Sequence, residues 1–205
     1  MEESVIKSKT EPKRIMFIFH GYGADKGNFQ AIGETFAKVF DDLEVHIPDG
    51  IEKCDENDDG YQWFPLYGDV DDYFIEYKKN EHIIKEYVDD VLEKSGLTYA
   101  NAIFAGFSQG AMLSIILGLK LGVSHVVSFS GVLIDQNIKD FNLKTKLVMI
   151  HGESDAVVPF DMMIASVDVL RRRGLGVYLA VSETAKHFID DYMMQAAVKF
   201  LLPVN

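Results

Sequence analysis

Gly106-Phe107-Ser108-Gln109-Gly110 is the segment of this chain best equipped for covalent chemistry. It has the form G-x-S-x-G. An apolar run at 102–107 that reads as a strand precedes it, and an apolar run at 111–121 that reads as a helix follows. A sharp strand-to-helix turn lifts the serine hydroxyl clear of a sheet, and the residues two positions to either side must then lack bulk. The hydroxyl lies at a helix N-terminus, where free N–H groups and the dipole favour developing negative charge. The bare pattern arises by chance in roughly 7% of chains of this length, so the flanking strand and helix give it its meaning. The chemistry expected of Ser108 is nucleophilic attack on an acyl carbonyl.

A serine hydroxyl needs a base to take its proton. Behind such an elbow the α/β-hydrolase order along the chain is nucleophile, acid, base. Downstream of Ser108 the histidines are His125, His151 and His187. His125 enters a strand directly after the nucleophile helix, too early in that order. His187 follows the last strand and precedes the last helix, which is the position of the base. Asp155, just past the preceding strand, is in the position of the acid. Both fall at C-terminal strand ends, where open α/β sheets carry their sites. The oxyanion needs two N–H donors. One is expected at the backbone of Gln109. The other is expected in the turn His20-Gly21-Tyr22-Gly23-Ala24, with Tyr22 first and Gly23 second.

The elements that must position these groups alternate along the chain. Short apolar runs at 15–19, 43–47, 102–107, 126–129, 147–150 and 177–181 read as strands. Segments at about 26–40, 71–94, 111–121, 160–173 and 188–202 read as helices. Most of these strands are apolar on both faces, which indicates a parallel sheet covered on both sides. Residues 1–13 read as a polar N-terminal tail and 14–205 as one domain. The stretch 51–70 has no regular period and reads as a long loop on the side of the site.

The chain has 205 residues, with 20 Lys+Arg against 32 Asp+Glu, a net charge of −12. That length supports one full core. The acidity disfavours nucleic acid and anionic membrane surfaces as partners. No apolar run reaches the length of a membrane span. The N-terminal residues lack the apolar stretch of a secretory signal. The single cysteine, Cys54, excludes an intrachain disulfide. A cytoplasmic setting is expected.

Together, His20-Gly21-Tyr22-Gly23, Pro48, Trp63-Phe64, Gly106-Phe107-Ser108-Gln109-Gly110 and His151-Gly152-Glu153-Ser154-Asp155 with Val158-Pro159 resemble the phospholipase/carboxylesterase family of α/β-hydrolases, the group that contains acyl-protein thioesterases. The resemblance runs from Ile15 to about Leu202. It implies an α/β-hydrolase fold with a mostly parallel central sheet of about six or seven strands and helices on both faces. It also implies hydrolysis of carboxylic esters or thioesters with no cofactor, on a small-molecule or lipid-like acyl substrate. Two departures stand out. Thr184-Ala185-Lys186 replaces the glycines that often precede the family's catalytic histidine. The short N-terminal part implies that the additional early strands of larger hydrolases are missing.

Trp63, Phe64 and Leu66 form an apolar cluster within 51–70, and position and resemblance together put them at the mouth of the site. They are expected to line the acyl side, to plug the loop onto the core, or to do both, since the two roles are compatible. Asp55 to Gly60 matches the first half of a calcium loop, but Leu66 stands where a bidentate Glu is required, so no metal is expected. On the same triad a peptidase or amidase is an alternative to an esterase. A non-catalytic binding module on the hydrolase fold is another. A weak homodimer is compatible with the sequence, which leaves oligomeric state open.

Overall fold

The computed structural model describes residues 1–203. Seven strands form one sheet: β1 (Glu3–Ile6), β2 (Arg14–Phe19), β3 (Leu43–Pro48), β6 (Ala102–Phe107), β7 (His125–Phe129), β8 (Lys146–Gly152) and β9 (Val177–Ser182). Their order across the sheet is β1-β3-β2-β6-β7-β8-β9. All pairings are parallel except that of β1 with β3. The helices are α1 (Gln30–Val39), α2 (Val70–Lys94), α3 (Gln109–Leu121), α4 (Phe160–Arg172) and α5 (Asp191–Leu201).

β2 shows why the sheet is covered on both faces. Its side chains alternate across the pleat. Ile15, Phe17 and Phe19 join a core that includes residues of α2, α3 and α4. Met16 and Ile18 join a second core that includes residues of α1 and α5. Every residue from Ala111 to Leu119 of α3 is buried, so the helix that follows the serine is enclosed rather than amphipathic. A helix fixed in this way gives the elbow a rigid base.

Two expectations change. Residues 3–6, expected as tail, form the antiparallel edge strand β1, with Glu3 opposite Pro48 and Ile6 opposite Val45. So short a strand gives no usable alternation. It is held instead by pairing and by Glu3, whose Oε2 meets His46 Nδ1 at 2.8 Å and the Tyr87 hydroxyl. The stretch 51–70, expected as one irregular loop, contains a two-stranded hairpin, β4 (Glu52–Cys54) with β5 (Asn57–Gln62). Its strands are almost wholly polar because backbone pairing, not a buried face, defines them.

Candidate active site

β6 delivers Ser108 and α3 leaves from it. Ser108 has φ 52°, a left-handed conformation that a non-glycine residue adopts only when its surroundings impose it. The flanking glycines follow from contact. A Cβ on Gly106 would lie 2.2 Å from the Gly110 carbonyl oxygen, and one on Gly110 would lie 2.0 Å from the Phe19 carbonyl oxygen. The elbow therefore packs directly onto the end of β2. The Ser108 N–H donates to the Phe129 carbonyl at 2.9 Å, tying the turn to β7.

β8 ends in the turn that carries Asp155, and the connection from β9 to α5 carries His187. Ser108 Oγ lies 3.0 Å from His187 Nε2, and His187 Nδ1 lies 2.8 Å from Asp155 Oδ2. The three residues, far apart in sequence, thus form one continuous hydrogen-bonded line. An ionised Asp155 can only accept, so Nδ1 carries the proton and Nε2 is free to accept from the serine hydroxyl. The other Asp155 oxygen, Oδ1, accepts from the N–H groups of Val157 and Val158, each at 2.9 Å. Burial pushes the Asp155 carboxyl up. The hydrogen bonds from His187, Val158 and Val157 outweigh it and hold the carboxyl below its ordinary value.

Neighbours that carried no assigned role in the sequence brace this line. The Phe107 ring packs against the His187 ring with centroids 4.7 Å apart. His151 Nε2–H donates to the Val158 carbonyl at 2.8 Å, steadying the acid turn. Ser182 Oγ accepts from the Ala185 N–H at 3.1 Å and donates to Asp190, the N-cap of α5. Ala185, one of the residues standing where glycines were expected, is fully buried in this brace. The Asp190-Asp191 pair ahead of a helical run was the available sequence signal for that cap.

The turn after β2 lies alongside. Gly23 donates its N–H to the Tyr61 carbonyl at 2.9 Å, and Tyr61 donates back to Ala24 at 2.8 Å, so β5 of the hairpin pairs with this turn. That engages the Gly23 N–H and favours Tyr22 of the two expected donors. The N–H groups of Tyr22 and Gln109 have no intramolecular acceptor among the described residues. His20 Nε2 accepts from the Gly50 N–H at 2.8 Å, so Nδ1 carries the proton and donates to the Gly21 carbonyl at 2.8 Å. That carbonyl and the Tyr22 N–H belong to one planar trans peptide, so anchoring the oxygen aims the N–H to the opposite side.

Trp63 and Phe64 do not line an open pocket. Each has 0% of its surface exposed. Trp63 packs edge-on against Phe19, its centroid 5.2 Å away, and Phe64 packs against Tyr77. Of the two expected roles, this packing favours the plug. The apolar cluster was a loop's anchor in the core, and Leu66 packs half-buried on the same core. Asp55 and Glu52 both accept from the Gln62 side chain, so they serve the hairpin. The more exposed apolar side chains beside the triad are Val157, 68% exposed, and Phe188, 50% exposed. No helix among the described residues is long and apolar enough to cross a membrane.

The phospholipase/carboxylesterase family model matches residues 1–205. Esterase YpfH of Escherichia coli is 28% identical over 204 residues, covering 96% of this chain and 86% of that protein. Acyl-protein thioesterase 1 of Gibberella zeae is 30% identical over 132 residues, 56% of each chain. The crystal structure of esterase PE8 superposes with a TM-score of 0.90 at 26% identity, covering 97% of this chain and 96% of the other. The chain belongs to the phospholipase/carboxylesterase family, has the α/β-hydrolase fold, and is a serine hydrolase of carboxylic esters or thioesters.

Proposed function

We propose that this family member hydrolyses its substrate through an acyl-enzyme on Ser108. His187 takes the Ser108 proton as the hydroxyl attacks the acyl carbonyl, then gives it to the leaving alcohol or thiol. Asp155 holds the imidazole in the required tautomer and stabilises its cation. The N–H groups of Tyr22 and Gln109 carry the oxyanion. A water, deprotonated by His187, then releases the acid and restores the serine.

The observation that supports this reading best is the line from Ser108 Oγ to His187 at 3.0 Å and on to Asp155 at 2.8 Å. Nucleophile, base and orienting acid lie at hydrogen-bonding distance with the proton placed for transfer. The substrate class is a small or lipid-like acyl ester or thioester, with Val157 and Phe188 offering apolar surface beside the triad. The site works in a reducing, cytoplasmic setting, consistent with a lone buried thiol at Cys54. The experiment is a series of nitrophenyl esters from acetyl to palmitoyl, with the matching thioesters and an anilide. Ester and thioester turnover with a silent anilide supports the proposal. Preferential anilide cleavage would point to an amidase on the same triad.

A further inference from the structure

The two proposed oxyanion donors come from separate parts of the chain. Gln109 N–H stands at the first turn of α3, and Tyr22 N–H stands in the turn after β2. An oxyanion site works only when both donors hold a fixed separation. One side chain lies between the two parts. The Gln109 side chain is fully buried. Its Oε1 accepts from the Trp63 N–H at 2.9 Å, and its Nε2–H donates to the Phe64 carbonyl at 2.6 Å. Trp63 in turn donates its Nε1–H to the His20 carbonyl at 2.9 Å, with its ring 5.0 Å from the His20 ring. His20 then anchors the peptide whose N–H belongs to Tyr22.

We propose that Gln109 acts through its side chain as a positioning residue, locking the elbow to the Tyr22 turn by way of Trp63 and His20. This rests on the proposed role of the two N–H groups. The geometry demands an amide. The clamp needs one acceptor and one donor, side by side, for the N–H and C=O of successive residues. A carboxylate would set a second acceptor against the Phe64 carbonyl, and Asn is one methylene shorter. The full burial of Trp63 has the same explanation. Its ring is not a wall for substrate but a rigid strut with a hydrogen-bond donor at its end.

Two variants test this in the full chain. Gln109→Met keeps length and bulk and removes both clamp bonds. Trp63→Phe keeps an aromatic plug and both backbone clamp bonds, loses the Nε1–H donor together with part of the ring volume, and decides the matter through kcat per site and ketone affinity should Gln109→Met fail to fold. Fluorophosphonate titration counts competent sites, a nitrophenyl ester gives kcat and KM, and thermal melting reports the fold. The expected result for Gln109→Met is a fall in kcat per titrated site of about 10-fold to 100-fold, with KM within about twofold. Trp63→Phe should lose several-fold in kcat. The affinity for a trifluoromethyl ketone, whose adduct places an oxyanion on the same donors, should fall in step. A kcat per site and ketone affinity near wild type in a folded variant, whatever its melting temperature, overturn the positioning role. Ser108→Ala, measured alongside, separates the two claims. If it is inactive while Gln109→Met is unimpaired, the positioning role alone is refuted. If it is active, the reading on which that role stands is refuted.

Discussion

Gly152 and Ala185 touch backbone to backbone: a Cβ on Gly152 would lie 2.3 Å from the Ala185 carbonyl oxygen and 2.8 Å from that of Lys186. The contact joins the strand that leads to Asp155 to the loop that presents His187. The hydrogen bond between acid and base therefore depends on a position that has no side chain of its own.

Gly152→Ala must displace that loop, because a backbone carbonyl cannot move aside as a flexible side chain can. The expected outcome is a stability loss of about 1–3 kcal/mol, as for other overpacked positions. A fall in kcat larger than any change in KM should accompany it. Urea unfolding and steady-state kinetics on the same preparation check both. Wild-type values in both would show that the two segments are not coupled.

Trp63→Ala is expected to act on stability rather than on substrate choice. The ring is wholly enclosed, and its loss should cost about 3–5 kcal/mol, with a correspondingly lower urea midpoint. The dependence of kcat/KM on acyl length should keep its shape. A flattened profile with an unmoved midpoint would instead restore the tryptophan to the substrate pocket.

The contrast between these positions shows what a sequence can convey. Ser108, Asp155 and His187 were legible because each follows a strand whose apolar run is unmistakable, and because the order of elements brings those strand ends to one edge. The part played by Trp63 was not, since the cluster Trp63-Phe64-Pro65-Leu66-Tyr67 reads equally as plug or pocket. Its partners, Gln109 and His20, lie 46 and 43 residues away. The hairpin was hidden for a different reason. Residues 52–62 bury little, and their order comes from pairing with Ala24 through Tyr61. β1 is four residues of edge strand, too short for any period to register.

Stability should fall as the pH drops below neutral. His20, His125 and His151 are all held below the ordinary histidine value, each chiefly by burial, with His125 lowered to about 4. Lys146 and Arg14 add to the effect at His125. In the window between the unfolded value of 6.5 and these lower folded values, the unfolded chain binds protons that the native chain refuses. Folding free energy is thus full above the unfolded value and declines as pH falls through the window. Asp155, whose folded value is depressed, adds a second loss only at more acidic pH, below the ordinary carboxylate value. Urea unfolding at pH 7.5 and pH 5 should give the lower stability at pH 5, and His125→Gln should reduce the difference. Equal stability at both values would mean that these rings are protonated in the native state.

Asp155→Asn leaves the shape of the acid and removes its charge. It also permits the wrong histidine tautomer, with Nδ1 accepting from the new amide and Nε2 no longer free to take the serine proton. A fall in kcat of about 10³-fold to 10⁴-fold is expected with KM little changed. The slower fluorophosphonate labelling should parallel it. Retention of more than about a tenth of the wild-type kcat would remove Asp155 from the triad.

The most direct measurement is Ser108→Ala, assayed for nitrophenyl-ester hydrolysis and for covalent labelling by a fluorophosphonate, with a melting curve to establish the fold. The hydrogen-bonded line from Asp155 through His187 to Ser108 predicts no labelling and a rate lower by about 10⁴-fold to 10⁶-fold, with a melting temperature close to that of the wild type. A folded Ser108→Ala protein that still takes the label, or keeps more than about a tenth of the activity, would place the nucleophile elsewhere and contradict the triad.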